Sequence, residues 1–309
     1  MPRFLKILLG LLALLVAAGG GAWLWLTARE EVPLESDFAL SLEELRSLAG
    51  SLPGAKPEAI RSALVAETFL PRAALYAGES FEPHPFVHQV FQVTYPAGGG
   101  HLLIDAAFPE AQLAQMGEGG KYHASAFAQV LAAMATAKQL FVTHEHFDHL
   151  AGVSSVPAPE SLVRRLRLTR EQLANTKAAD DAALPAALRA MEPLAYEGSL
   201  AVAPGVVLVK APGHTPGTQL VFVQTGGGLE YLFIGDVAWH TDQLTKLHYR
   251  PRLVTDVFLG EDREAVLAQF RTLHELLRGN PGLLVVVSHD RDQRARLLAS
   301  GALREGLAQ

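Results

Sequence analysis

The chain has 309 residues, 49% of them hydrophobic and 19% charged, and a net charge of −6. That length holds one large domain or two small ones with a sizeable core, and the negative balance argues against a nucleic-acid partner. Cysteine is absent, which excludes disulfides, thiolate ligands and a cysteine nucleophile.

Residues 7–26 carry no charge, about the ~20 residues a helix needs to cross a bilayer. Arg3 and Lys6 precede the run and Glu30 and Glu31 follow it. The positive-inside rule then keeps the N-terminus in the cytoplasm and puts the body of the protein on the outer side of an inner membrane, in the periplasm or beyond. Trp23 and Trp25 fall at the outer interface. Val16-Ala17-Ala18 also passes as a signal-cleavage site, so residues 1–26 read as a transmembrane anchor or as a signal peptide whose removal would leave a secreted protein. A buried core helix is the third reading, against which the charge pattern stands.

Residues 27–80 read as a linker and lead-in, with a capping box at Ser41-Leu42-Glu43-Glu44 opening a short helix that Pro53-Gly54 stops. Residues 81–309 form the main domain. Val87–Tyr95 and His101–Ala106 are predicted strands joined at Gly98-Gly99-Gly100. Helices are expected over 109–117 and 123–137, then a short buried strand over Leu140–Val142. Residues 157–200 read as a helical insertion, either a lid or a solvated excursion. Thr169-x-x-Gln172 is a capping box there, and Pro185 is placed to open another helix. Arg164, Arg165, Arg167 and Arg170 either meet an anionic substrate or form a solvated helix face. Further strands are expected over Val206–Lys210, Gln219–Gln224, Leu229–Ile234 and Leu283–Val287. The 261–278 stretch sets Val266, Phe270, Leu273 and Leu277 on one helical face, closed by Gly279 and Pro281. A last helix covers 291–300. Strand pairs with interspersed helices suit a layered α/β protein.

The chemistry concentrates in Thr143-His144-Glu145-His146-Phe147-Asp148-His149. Imidazole and carboxylate at this density suit a borderline-soft divalent metal. Four such ligands exceed what one catalytic zinc with an open position uses, so two metals are expected. His214, Asp236 and His289 each follow a strand-like run, where loops carry function on a rigid scaffold. Asp105 closes Leu102-Leu103-Ile104 in the same way.

His-x-His-x-Asp-His followed by a distant His, Asp and His, with an early Asp before them, resembles the signature of the metallo-β-lactamase-fold hydrolase superfamily over roughly residues 85–290. The resemblance implies an αββα four-layer sandwich with two divalent metals at one edge of its sheets: zinc first, iron or manganese as alternatives. It implies His144, His146 and His214 at the first metal, Asp148, His149 and His289 at the second, and Asp236 bridging both alongside a hydroxide that attacks the substrate. Asp148 and Asp236 are the residues expected to carry catalysis. Asp105 and Thr143 are expected behind the ligands, orienting them. Phe147, Trp239 and His240 are candidate substrate contacts. His248 shares a loop with His240, whereas His84, His88, His101, His123 and His274 have no motif and read as surface or packing residues.

The full ligand set in a compact chain is similar to the branch that hydrolyses lactones and small esters. Trp239 departs from that branch, which places Tyr three positions after the bridging Asp; an indole N–H donates a hydrogen bond but is no useful acid. The implied activity is metal-dependent hydrolysis of a small-molecule lactone or ester. Alternatives are β-lactam or phosphodiester hydrolysis on the same centre, or a non-catalytic module that keeps its metals for stability.

Overall fold

The computed structural model describes residues 3–96 and 98–308, without the side chains of Arg3, Lys6, Ile7 and Gly10. In chain order its strands are β1 (Ala59–Pro71), β2 (Pro83–Thr94), β3 (His101–Ile104), β4 (Lys121–Tyr122), β5 (Gln139–Phe141), β6 (Ser199–Ala203), β7 (Val206–Lys210), β8 (Gln219–Gln224), β9 (Glu230–Phe233), β10 (Leu283–Val286) and β11 (Arg304–Glu305). One sheet runs β11-β1-β2-β3-β5 with β4 paired to β1, and the other runs β10-β9-β8-β7-β6.

Side-chain alternation sorts these strands into layers. In β8, Val221 and Val223 face the first sheet, meeting Ile60, Phe91, Val93 and Phe141. Leu220 and Phe222 face the other way, onto Val266, Phe270 and Leu273 of the helix Arg263–Gly279 and onto Leu42 and Leu45 of the helix Leu42–Ala49. The helix Ala124–Thr136 covers the outside of the first sheet, where Val130 and Met134 pack with Ala63, Val90 and Leu103. The layers are therefore helix, sheet, sheet, helix, as expected.

Residues 27–80 do not behave as a linker. β1 is a long strand of the first sheet, paired antiparallel with β2 from Ala59 to Pro71, with a bulge between Leu64 and Ala66. Its sequence, with three alanines, lacks a clean alternation because both its faces are covered along much of its length. Residues 109–117 form a 3-10 helix, Glu110–Met116, rather than an α-helix. The 157–200 insertion buries Leu162, Leu166, Leu168, Leu184 and Leu188 against the Ala124–Thr136 helix layer. Arg165 is spent on the carbonyls of Met134 and Ala135.

The N-terminal helix spans Arg3–Thr27. Most of its described apolar side chains are exposed, among them Leu8, Leu12, Leu15 and Trp25, so the core-helix reading does not hold. Arg3 and Lys6, on which the charge asymmetry rests, have side chains outside the described set. Among the described residues no helix is long and apolar enough to cross a membrane, and the transmembrane expectation gains no support from the structure.

Candidate metal centre

Parallel pairing of β3 with β5 and of β9 with β10 aims four strand ends at one edge of the two sheets. Asp105 follows β3, His144 follows β5, Asp236 follows β9 and His289 follows β10, while His214 hangs in the loop between β7 and β8. Two loops must nearly touch for this. Gly235 has φ +52°, and a Cβ there would meet Thr143 Cβ and Oγ1 at 2.8 Å. Glycine alone allows both the left-handed backbone and the approach.

The seven expected ligands converge. His146 Nδ1 lies 3.1 Å from His144 Nε2 and 3.0 Å from His214 Nε2. Asp236 Oδ2 stands 3.8 Å from His144 Nε2 and 3.6 Å from His214 Nε2. Around the other oxygen, Asp236 Oδ1 is 2.8 Å from His289 Nε2 and 3.3 Å from His149 Nε2. His149 and His289 Nε2 are 3.2 Å apart, and Asp148 Oδ2 lies 3.6 Å and 3.7 Å from them. A tetrahedral ion with bonds near 2.0–2.2 Å has ligand–ligand edges of about 3.3–3.6 Å. Each set of four fits such an ion, and Asp236 gives one oxygen to each. Asp236 Oδ1 is buried without a hydrogen-bond donor, so a cation is the partner it lacks.

Hydrogen bonds behind the ring fix the tautomers. His149 Nδ1–H donates to Asp105 Oδ2 at 2.8 Å, His289 Nδ1–H to Val87 O at 2.8 Å and His214 Nδ1–H to Glu261 Oε1 at 2.6 Å. Each leaves Nε2 as a bare lone pair facing the centre, the arrangement a metal-ligating histidine needs. Thr143 Oγ1 donates to Asp105 and accepts from His144 Nδ1 at 3.2 Å. Asp105, at φ 65°, thus orients His149 directly and His144 through Thr143, the role the sequence suggested for both residues.

Glu261 is the residue the sequence did not reveal. It is buried, and it also accepts from Arg250 Nη2 at 2.7 Å and from the Tyr249 hydroxyl. Burial opposes its ionisation, but the Arg250 guanidinium and the His214 N–H outweigh burial and hold the carboxyl below its ordinary range. Arg250 in turn donates to the carbonyl of Asp236 at 3.1 Å. One buried pair therefore steadies both His214 and the loop that carries Asp236.

The electrostatics are those of a cation site. Burial and then the neighbouring His149 push His144 well below its ordinary value. His146 is lowered to about 4 by burial and by His214. Burial opposes ionisation of Asp236, yet His289, His149 and His144 hold its carboxyl well below the normal range. Burial likewise opposes a charge on His149, and Asp148, Asp105 and Asp236 outweigh it to raise that imidazole.

A cavity of about 250 Å³ opens onto these groups, lined by Leu70, Phe86, Phe147, Asp148, Trp239 and Leu259 among others. Phe147 and Trp239 are where a substrate contact was expected. The Trp239 indole N–H, however, is directed at Asp236 Oδ2, 2.7 Å away. His240 does not line the cavity; its Nδ1 caps the short helix Thr241–Thr245 by accepting from Asp242 N. His248 bonds the carbonyl of Ala77. No described residue of 157–200 lines the cavity, so the lid expectation gains nothing. A larger surface groove at Tyr95, Lys138 and Pro204 holds no imidazole or carboxylate among its described residues, and size alone does not choose the site.

Residues 101–289 match the family model described as beta-lactamase superfamily domain. An N-acyl homoserine lactonase of Bacillus thuringiensis is 27% identical over 155 residues, 49% of this chain and 55% of that protein. The chain thus matches about half the length of its curated relatives. Among solved structures, a quorum-quenching N-acyl homoserine lactone lactonase superposes with TM-score 0.61 at 18% identity, covering 79% of this chain and 97% of that one. A probable metal-dependent hydrolase from Staphylococcus aureus gives 0.56 at 14% identity, over 77% and 91%. At these identities the structural likenesses speak for the fold.

Proposed function

The chain belongs to the β-lactamase superfamily, and from that premise we propose that it is a binuclear metal-dependent hydrolase of lactones or small esters. The observation that carries this reading is the pair of four-donor sets sharing Asp236. Two bound divalent ions, zinc by the preference of the donor set, would supply Lewis acidity and lower the pKa of water held between them. His144, His146 and His214 would hold the first ion and Asp148, His149 and His289 the second. Asp236 would serve both; the Trp239 indole N–H donates to its Oδ2, and Arg250 steadies its backbone carbonyl.

The cavity sets the substrate class. Leu70, Phe86, Met116, Phe147 and Leu259 give it an apolar wall, suited to the hydrocarbon part of an ester or lactone. No lysine or arginine is among its described lining residues, so beyond the metals no cationic side chain there favours a phosphodiester or the carboxylate of a β-lactam. All seven donors are in place, which favours turnover over a vestigial binding role. With Trp239 N–H committed to Asp236, recognition of an acyl-homoserine head group by a phenol at that position is not part of this mechanism. The test is initial-rate hydrolysis of lactones, aryl esters, phosphodiesters and a chromogenic cephalosporin with and without added zinc. Zinc-dependent turnover of the lactones or esters supports the reading; turnover confined to the phosphodiester or the cephalosporin defeats it.

We also propose that residues 1–26 tether the protein to an inner membrane with the catalytic body outside. The support is the uncharged run 7–26 and the exposed apolar side chains of its helix. Arg252 lies over the Trp25 ring at 4.8 Å and pairs with Glu30, which also pairs with Arg263. These contacts join the end of the helix to the body. The prediction is full-length protein in the membrane fraction after alkaline carbonate washing. A soluble form beginning after residue 18 would establish the cleaved signal instead.

A further inference from the structure

His88 has no place in the ligand signature, yet it is fully buried against the second set of donors. It lies on β2, between Phe108 and the His289 ring, with ring centroids 5.0 Å and 5.1 Å away. Its Nδ1 points at Asp148 Oδ2 across 3.3 Å, and its Nε2 lies 3.0 Å from Thr68 Oγ1 on β1. His88 Nδ1 is a buried polar atom without a formed hydrogen bond, and the Asp148 carboxylate is the acceptor that faces it.

Asp148 has the complementary need. Among the described residues, its other neighbours within ion-pair distance are His149 Nε2 and His289 Nε2. When they hold an ion, both present lone pairs, because their Nδ1–H groups are spent on Asp105 and on Val87 O. Neither donates a proton to the carboxylate. His88 is therefore the one proton donor available to Asp148. A neutral imidazole carries a single N–H. Thr68 Oγ1 also donates to the carbonyl of Phe86 at 3.2 Å, so it does not by itself set the ring; an N–H on Nδ1 is the tautomer that satisfies Asp148, whereas a bare Nδ1 would set two acceptors against each other in a buried space.

His88 lies close enough to Asp148 and His289 for the three to form a donor group of their own, yet it makes no pair with the shared Asp236. The second set closes around His149 Nε2, His289 Nε2, Asp148 Oδ2 and Asp236 Oδ1. Asp236 pairs with His144, His149, His214 and His289, and His88 is not among them. It touches one corner of the set from behind.

We propose that His88 is a positioning residue for the second metal, holding Asp148 through an Nδ1–H···Oδ2 interaction from behind. The inference rests on the reading of Asp148 as a metal donor. It ties Asp148, in the metal loop, to β2 through His88. Outer-shell partners of this kind change metal affinity by about 10–100-fold.

The experiment compares wild type, His88→Asn and His88→Phe as full-length metal-free proteins. Zinc is titrated against a chromophoric chelator, and cobalt is then used to read the coordination sphere. Asparagine places its amide N–H near the position of imidazole Nδ1; phenylalanine fills the space with no donor. The expected result is unchanged affinity for the first equivalent in all three, a second equivalent weakened 10–100-fold in His88→Phe, and recovery of most of that loss in His88→Asn. Retained second-site affinity in His88→Phe would overturn the proposal and leave His88 as packing. Equal loss in both variants, with the second cobalt spectrum changed as for a lost nitrogen, would overturn it in favour of direct ligation. A wild type that takes up no second equivalent would instead refute the binuclear reading beneath it. Melting of each metal-free protein shows whether His88→Phe folds, and His88→Asn carries the comparison if it does not.

Discussion

Asp236→Asn lowers kcat/KM on the order of 10³-fold, equivalent to about 4 kcal/mol of transition-state stabilisation, and removes both metal equivalents to a similar degree. The substitution is nearly isosteric, so the fold stays. It withdraws the charge that faces four imidazole nitrogens and replaces one oxygen, which belongs to one set or the other, with an amide nitrogen. Each ligand histidine serves one set, and Asp236 alone serves both. Loss at His146 or His289 should therefore weaken one equivalent selectively, whereas loss at Asp236 weakens two. Elemental analysis of the variant alongside its kinetics checks this. Near-normal metal content with normal turnover would remove the shared carboxylate from the account.

Glu261→Ala destabilises the protein by about 3–5 kcal/mol, because it strands a buried guanidinium and frees a buried imidazole N–H. Arg250 is fully buried and keeps only carbonyl partners once Glu261 is gone. At roughly 2–4 °C per kcal/mol for a chain of this class, the melting temperature falls by about 10 °C. The effect has a pH signature. The folded-state pKa of Glu261 is depressed, so its contribution is full above the ordinary carboxylate range and is lost as pH falls through the lowered folded value. Wild type should lose stability on acidification through that window, and Glu261→Gln should lose less. Thermal melts of the metal-free proteins across that range decide it; parallel curves for the two proteins would mean that Glu261 bears no such load.

The parts of the site that the sequence disclosed share one property: they stand at the ends of short apolar runs. His144, Asp236 and His289 each follow a buried strand, and a polar residue there is visible in one dimension. Glu261 is invisible for the opposite reason. It sits between Gly260, at φ 69°, and Asp262, which caps the helix Arg263–Gly279. It therefore looks like the first turn of an exposed helix, while the left-handed glycine turns it inward. The one available hint was Gly260 itself, just before a helix start. His88 escaped because β2 is buried on both faces, so alternation gives no sign of which neighbour a polar residue meets. A histidine inside a continuous buried strand is still a signal, since a buried polar group needs a partner.

β1 was missed for a compositional reason. Ala59–Pro71 has the alanine, leucine and glutamate of a helix-forming segment, and only its pairing with β2 over its whole length makes it a strand. Tertiary context overrides propensity there. The cost to the functional reading was Thr68, which β1 contributes behind His88. A layered α/β protein was legible from strand runs and amphipathic helices, whereas the four-layer order followed from the resemblance of the metal motifs and not from periodicity.

The measurement that bears most directly on the binuclear hydrolase is metal stoichiometry coupled to turnover. Full-length protein is stripped with a chelator, dialysed and titrated with zinc while lactone hydrolysis and bound metal are read together. The account predicts two equivalents per chain, with turnover appearing as the second is filled and lost again on chelation. Full turnover at one equivalent, or hydrolysis unaffected by stripping, would contradict it.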